Sequence, residues 1–225
     1  MKKLSVFSCV KRGLSLAIEQ IGLLIGCVVL AFLASLITGG LYDIYIIGYV
    51  LSIVVSAIFE VGLINISLKA AKQEKARFED LFAKIELIGS VILVNIMIFS
   101  VVVLLLFVTA LLIDTANMAS PFLSLIAGAA MLGITLYIII GFVFATYIIV
   151  DKEEGPIGAI TKSYKMMQGV RLKVFGLFIV VGLINILGLL AFVLGLLITI
   201  PAAFVILSVA YQTIFKLTFT ENTSD

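Results

Sequence analysis

The chain has 225 residues, 63% of them hydrophobic and 12% charged, with a formal net charge of +2 and no histidine. Ordinary soluble domains run at roughly 45–50% apolar and about 25% charged, so this composition excludes a water-soluble globule and makes lipid the solvent for most side chains. Without histidine, the commonest general acid/base and a leading metal ligand is missing, which excludes His-dependent hydrolases, Ser-His triads and H-E-x-x-H zinc sites.

The N-terminus, Met1-Lys2-Lys3 followed by Val6-Phe7-Ser8-Cys9, has the outline of a lipoprotein signal. Its apolar stretch of about five residues is shorter than the roughly 7–15 that a signal needs. Lys11 and Arg12 then interrupt it, so an uncleaved cytosolic tail is expected. Cys27 falls inside the first apolar run and cannot easily meet Cys9, so neither a disulfide nor a thiolate metal site is expected.

A run of 18 or more apolar residues, at 1.5 Å each, crosses a hydrocarbon core of about 30 Å. Six such runs follow one another: 14–37, 44–68 after the Thr38-Gly39-Gly40 break, 87–113, 122–150 after the polar turn from Asp114 to Pro121, 174–191 and 196–215. The last two come from one apolar block divided near Leu190 to Leu196. That division puts Pro201 in the first turn of the sixth span, where its missing N–H costs little. A kinked sixth helix is the alternative.

The basic residues test this division. Lys2, Lys3, Lys11 and Arg12 precede span one; Lys69, Lys72, Lys75, Arg77 and Lys84 follow span two. Lys152, Lys162, Lys165, Arg171 and Lys173 follow span four, and Lys216 follows span six. All fifteen fall on one side, while the opposite connections carry only Asp43 and Asp114. By the positive-inside rule both termini are cytoplasmic. The predicted fold is an all-α polytopic bundle of six transmembrane helices, N-in and C-in, forming a single membrane domain over residues 1–225 of a bacterial cytoplasmic membrane.

Both cytoplasmic loops carry apolar residues at helical spacing, predicting short interfacial amphipathic helices. In the second, Ile157, Ile160, Tyr164 and Met167 share one face, Lys162 and Lys165 lie between them, and Gly169 ends the helix. Arg171 and Lys173 then anchor span five by snorkelling. In the first, Phe78, Leu81, Phe82 and Ile85 form the apolar face. The candidate surface for anionic headgroups or a protein partner is therefore Lys162, Lys165, Arg171 and Lys173 with Phe78 and Phe82.

Polar residues inside the apolar runs are the other candidates. Glu60 lies about nine residues from the end of span two, about 13 Å deep, and Glu19 about five residues into span one. An intramembrane carboxylate is a functional candidate by default. Asn65, Asn95 and Asn185 either bond across helices or line a polar path. The hexapeptide VGLINI occurs at 61–66 and at 181–186, as an inverted repeat of the transporter type would require, although the flanks do not align. Gly22 with Gly26, and Gly128, Gly133 and Gly141, are read as places of close helix approach or a homo-oligomer face.

The segment D-x-x-x-G-P-x-x-A-x-x-x-S-Y from Asp151, then FGLFIVVGLINILG, GLLITIP and AYQTIF, with FEDLF at 78–82, resembles a bacterial family of six-span membrane proteins. That family includes chains described as the membrane domain of glycerophosphoryl diester phosphodiesterase. The resemblance implies a membrane role but no hydrolase, because such an enzyme's metal and acid-base histidines sit in a separate soluble barrel absent from this chain. No catalytic, cofactor or metal site and no nucleic-acid surface is expected. The expected function is a non-enzymatic accessory, scaffold or immunity-type protein that binds lipid or a partner; the alternative is a small transporter or channel. Convergence of Glu19, Glu60, Asn65, Asn95 and Asn185 on one cavity would favour the alternative, and dispersal the scaffold.

Overall fold

Helix formation begins at Ser5, whose hydroxyl accepts a hydrogen bond from the Ser8 N–H and caps α1 (Val6–Glu19). The computed structural model describes residues 5–39, 45–191 and 193–219; Lys2, Lys3 and Asp43 lie outside the described residues. The first apolar span starts at Ile21 and not at Leu14, because residues 6–19 form a separate amphipathic helix. Its buried face, Cys9, Val10, Gly13, Leu16 and Ala17, recurs with helical period. At Gly13 an added Cβ would lie 2.6 Å from the Ile206 Cα, so the two helices meet in a contact that only glycine permits. The chain turns at Gln20, whose side-chain amide donates to the Glu74 carbonyl (2.9 Å) and accepts from the Ala76 N–H (3.3 Å).

Beyond that corner run α2 (Ile21–Gly39), α3 (Tyr45–Ala71), α4 (Ile88–Ala119), α5 (Pro121–Phe142), α6 (Ala145–Lys152), α7 (Pro156–Met167), α8 (Arg171–Leu190) and α9 (Val193–Phe219). Six segments are long and apolar enough to cross a membrane: Ile21–Thr38, Gly48–Ala71, Phe78–Met118, Pro121–Lys152, Arg171–Leu190 and Gly195–Phe219. α9 is the hub, packing against α1, α2, α3 and α8, while α4 and α5 pair as a hairpin. The 32 residues of α4 extend about 48 Å, longer than the hydrocarbon core, and its Phe99, Leu104 and Phe107 face outward.

The expected fourth span is two helices. α5 stops at Phe142, and the broken backbone is repaired from α7: the Ser163 hydroxyl donates to the Gly141 carbonyl (2.9 Å) and accepts from the Phe144 N–H (3.3 Å). Buried backbone groups must find partners in an apolar medium, and one hydroxyl here supplies two. Every residue of α6 from Ala145 to Val150 is buried, with Phe144, Tyr147 and Tyr211 in mutual ring contact.

Pro201 is inside α9, two turns past its start, not in the first turn. Its ring removes the N–H that would have paired with the Leu197 carbonyl. The α8–α9 turn closes where the sequence divides. Gly188 and Gly195 bring the two backbones so close that a Cβ on Gly195 would collide with the Gly188 backbone.

The loop helices also differ from expectation. α7 forms and ends just before Gly169 (φ 78°). Its buried face is Ala159, Ser163, Met166 and Met167, while Ile157 is 73% exposed. The helix is rotated from the predicted stripe because small residues allow it to dock on α5 and α6. The first loop holds two 3-10 turns, Phe78–Leu81 and Ile85–Leu87, in place of an amphipathic α-helix. Three contacts draw it onto α3. Asn65 donates to the Asp80 carbonyl (2.9 Å), Lys69 pairs with the Asp80 carboxylate (2.6 Å), and Gly62 makes room for the Leu81 backbone. So short a segment cannot propagate a helix against such ties.

Candidate functional site

One polar pair and one cationic cavity stand out. The pair is Glu60 of α3 and Asn95 of α4, whose amide donates to the Glu60 carboxylate at 2.8 Å. Tyr49, Ser52, Ser56 and Glu60 follow one another at intervals of three and four along α3, and with Asn95 they line a groove of about 530 Å³ between α3 and α4. Glu60 and Ser56 also border a second cavity, of about 280 Å³, with Ser35, Thr38, Phe59 and Phe204. A half-buried carboxylate therefore sits between two spaces with hydroxyls along both.

The other intramembrane candidates do not join it. Asn65 is buried and committed to the Asp80 carbonyl. Asn185 lies on α8, its Oδ1 buried without a partner. Glu19 is the last residue of α1, exposed, and precedes the first apolar segment. Two of the five converge, which is not the single shared space that a polar path through all of them requires.

The cavity occupies the end of the bundle where α1, α3, α6 and α9 meet. It measures about 400 Å³, with Arg12, Lys72, Asp151, Lys152 and Lys216 among its lining residues. Asp151 accepts from Lys72 (2.8 Å), pairs with Lys152 (3.1 Å) and accepts from the Tyr211 hydroxyl (3.1 Å). With its oxygens occupied, Arg12 and Lys216 have no ion pair among the described residues. Lys152 additionally stands over the Phe215 ring at 4.8 Å. In the sequence these cations counted only toward topology; their assembly into one cavity depends on α1 docking against α9.

The predicted headgroup surface is split. Lys162 is paired with Glu154, Lys165 is exposed and lies 5.9 Å from the Phe219 ring centre, and Lys173 is exposed. Phe78 and Phe82 are partly exposed and meet edge to face, 6.4 Å apart. Arg171 departs most from expectation: it is buried, with only 8% of its surface accessible, and does not snorkel. Cys9 and Cys27 are free, buried thiols. Burial pushes the Cys9 thiol above its ordinary pKa despite help from Thr213 and Arg12, so it is a poor nucleophile. Among the described residues no group of three or more His, Cys, Asp or Glu side chains is placed to hold a metal.

No protein-family model, curated protein or solved structure matches this chain.

Proposed function

We propose that this chain is a non-enzymatic multi-pass protein of a bacterial cytoplasmic membrane, with both termini in the cytoplasm, that acts by holding an anionic lipid headgroup or an acidic partner segment at its cytoplasmic rim. The observation that carries this reading is the cavity in which Arg12 and Lys216 have no ion pair among the described residues, while the lining carboxylate of Asp151 is taken by Lys72 and Lys152. Cations beside a membrane attract anionic headgroups by about 1 kcal/mol each, and the interfacial α7 and the 3-10 loop frame the same rim. The reading is tested with glycerol phosphate as a soluble headgroup analogue. It is expected to raise the melting temperature of the detergent-solubilised protein, and the Arg12→Ala/Lys216→Ala variant is expected to lose that rise. An equal rise in the variant removes the cavity from the function.

A small transporter or channel is the second reading, favoured by Glu60 standing between two hydroxyl-lined spaces. Glu60→Gln keeps the Asn95 contact and removes the charge. If the variant's melting temperature and the cells' phenotype both match wild type, Glu60 has no part in the mechanism.

A further inference from the structure

We propose that Arg171 and the groove beside it bind one anionic glycerophospholipid, the phosphodiester paired with the guanidinium and an acyl chain lying along α5 and α8. This deepens the lipid-binding reading above, rests on it, and places the lipid at a site separate from the rim cavity.

Arg171 is the first residue of α8, and its guanidinium carbon lies 3.9 Å from the Tyr137 ring centre and 4.5 Å from that of Tyr164. Gly141 makes this stack sterically feasible, since a Cβ there would stand 3.1 Å from the Tyr164 ring and 3.5 Å from Arg171 Nη2. Tyr164 itself is held on α7, whose neighbouring Ser163 is stitched to the broken end of α5. The arginine is thus positioned by three elements. Yet its Nε and Nη1 are buried without a hydrogen-bond partner, and no ion pair among the described residues includes it. Aromatic faces attract the cation but supply no lone pair for those N–H groups. A buried charge left unpaired is costly, so the arrangement calls for an acceptor from outside the chain.

The shape of the space beside it identifies that acceptor. Arg171 borders a groove of about 390 Å³ whose other walls are Gly133, Leu136, Tyr137, Ile140, Leu172 and Phe175. Apart from the arginine and the tyrosine hydroxyl, every wall is hydrocarbon, and Leu172 is 86% exposed on the outer surface. A free phosphate would desolvate there against apolar walls, whereas a phospholipid brings its own chain to cover them. Arginine's planar fork matches two phosphate oxygens. Arg171 also stands at the N-terminal end of α8, where the helix dipole adds favourable potential for an anion. Lys165 and Lys173 are exposed cations, and Glu154, just before α7, is paired with Lys162. Among the described residues that line the groove there is no carboxylate to meet a choline or ethanolamine head, which selects a net anionic lipid.

The experiment uses the full-length chain carrying Arg12→Ala/Lys216→Ala, which silences the rim cavity, purified and delipidated in detergent. Phosphatidylglycerol and phosphatidylcholine are titrated in, followed by native mass spectrometry and thermal unfolding. One phosphatidylglycerol is expected to bind with preference over phosphatidylcholine and to raise the melting temperature. Arg171→Met in the same background is expected to weaken that binding by about tenfold or more while leaving the lipid-free melting temperature equal or higher, since an unpaired buried charge has gone. Arg171→Lys, which keeps charge but drops the fork, is expected to fold as wild type and bind several-fold more weakly. Undiminished binding by Arg171→Met, displacement of the lipid by inorganic phosphate, or equal binding of phosphatidylcholine overturns the proposal. If the rim variant loses the glycerol phosphate response while Arg171→Met keeps its lipid, the rim reading stands and this site falls. No lipid preference even in the unmutated protein overturns this site, while the rim reading falls only if the glycerol phosphate response is also missing.

Discussion

The hexapeptide VGLINI occurs twice, and its two copies live in different surroundings. In α3, residues 61–66 are all buried: Gly62 admits the Leu81 backbone, and Asn65 holds the Asp80 carbonyl. In α8, only Val181 of residues 181–186 is buried, nothing lies within 4 Å of a Cβ on Gly182, and the Asn185 Oδ1 has no partner. The same six side chains are a core segment in one place and an outer face in the other. In a chain this apolar, identity of a short segment does not specify burial; what covers it does. Nothing in these two environments supports an inverted duplication.

The largest way to break the contrast is at its glycines. Gly62→Leu forces the 3-10 loop off α3 and is expected to cost on the order of 3 kcal/mol, the upper range for overpacking. Gly182→Leu projects into open space and should be near neutral. Unfolding of both variants in detergent checks this, and equal losses would erase the distinction. The asparagines come next. Asn65→Ala leaves a carbonyl unpaired and is expected to cost about 1–2 kcal/mol, whereas Asn185→Ala should fall below about 0.6 kcal/mol, the average for polar contacts in lipid. The smallest effect concerns the loop that covers only the first copy. Lys84 ties it down by donating to the Val150 carbonyl (2.7 Å) and pairing with Glu153 (2.8 Å). The Lys84 hydrogen bond holds the Glu153 carboxyl below its ordinary value. A lowered folded-state pKa gives stabilisation that is present above the unfolded value and lost as pH falls through the folded one. Acid proteolysis between residues 77 and 87 should therefore rise below about pH 4, and Glu153→Gln should shrink the pH step without affecting the second copy, the remainder belonging to the Lys69–Asp80 pair.

The six long apolar segments were legible in the sequence because hydropathy summed over some twenty residues outweighs local detail. Positions that depend on contacts between distant elements were not. The break after Phe142 has neither proline nor glycine at its centre and exists because Ser163 satisfies the exposed backbone. Arg171 reads as a snorkelling anchor until Tyr137 and Tyr164 close over it. α1 could have been found, since Cys9, Val10, Gly13, Leu16 and Ala17 mark a helical stripe before the first span. Lys11 and Arg12 concealed it by looking like the end of a tail. Of the candidate site, Glu60 and Asn95 were nameable singly, but their pairing across α3 and α4 was not.

The contact between Gly13 and Ile206 joins the earliest helix described to the last. During biosynthesis α1 leaves the ribosome long before α9 exists, and until then Cys9, Val10 and Leu16 lack the main helix that covers them. The bundle is latched only once α9 has been made. A message broken upstream of α9 yields a product with an oily helix bare, which is the kind of surface that proteases and chaperones recognise.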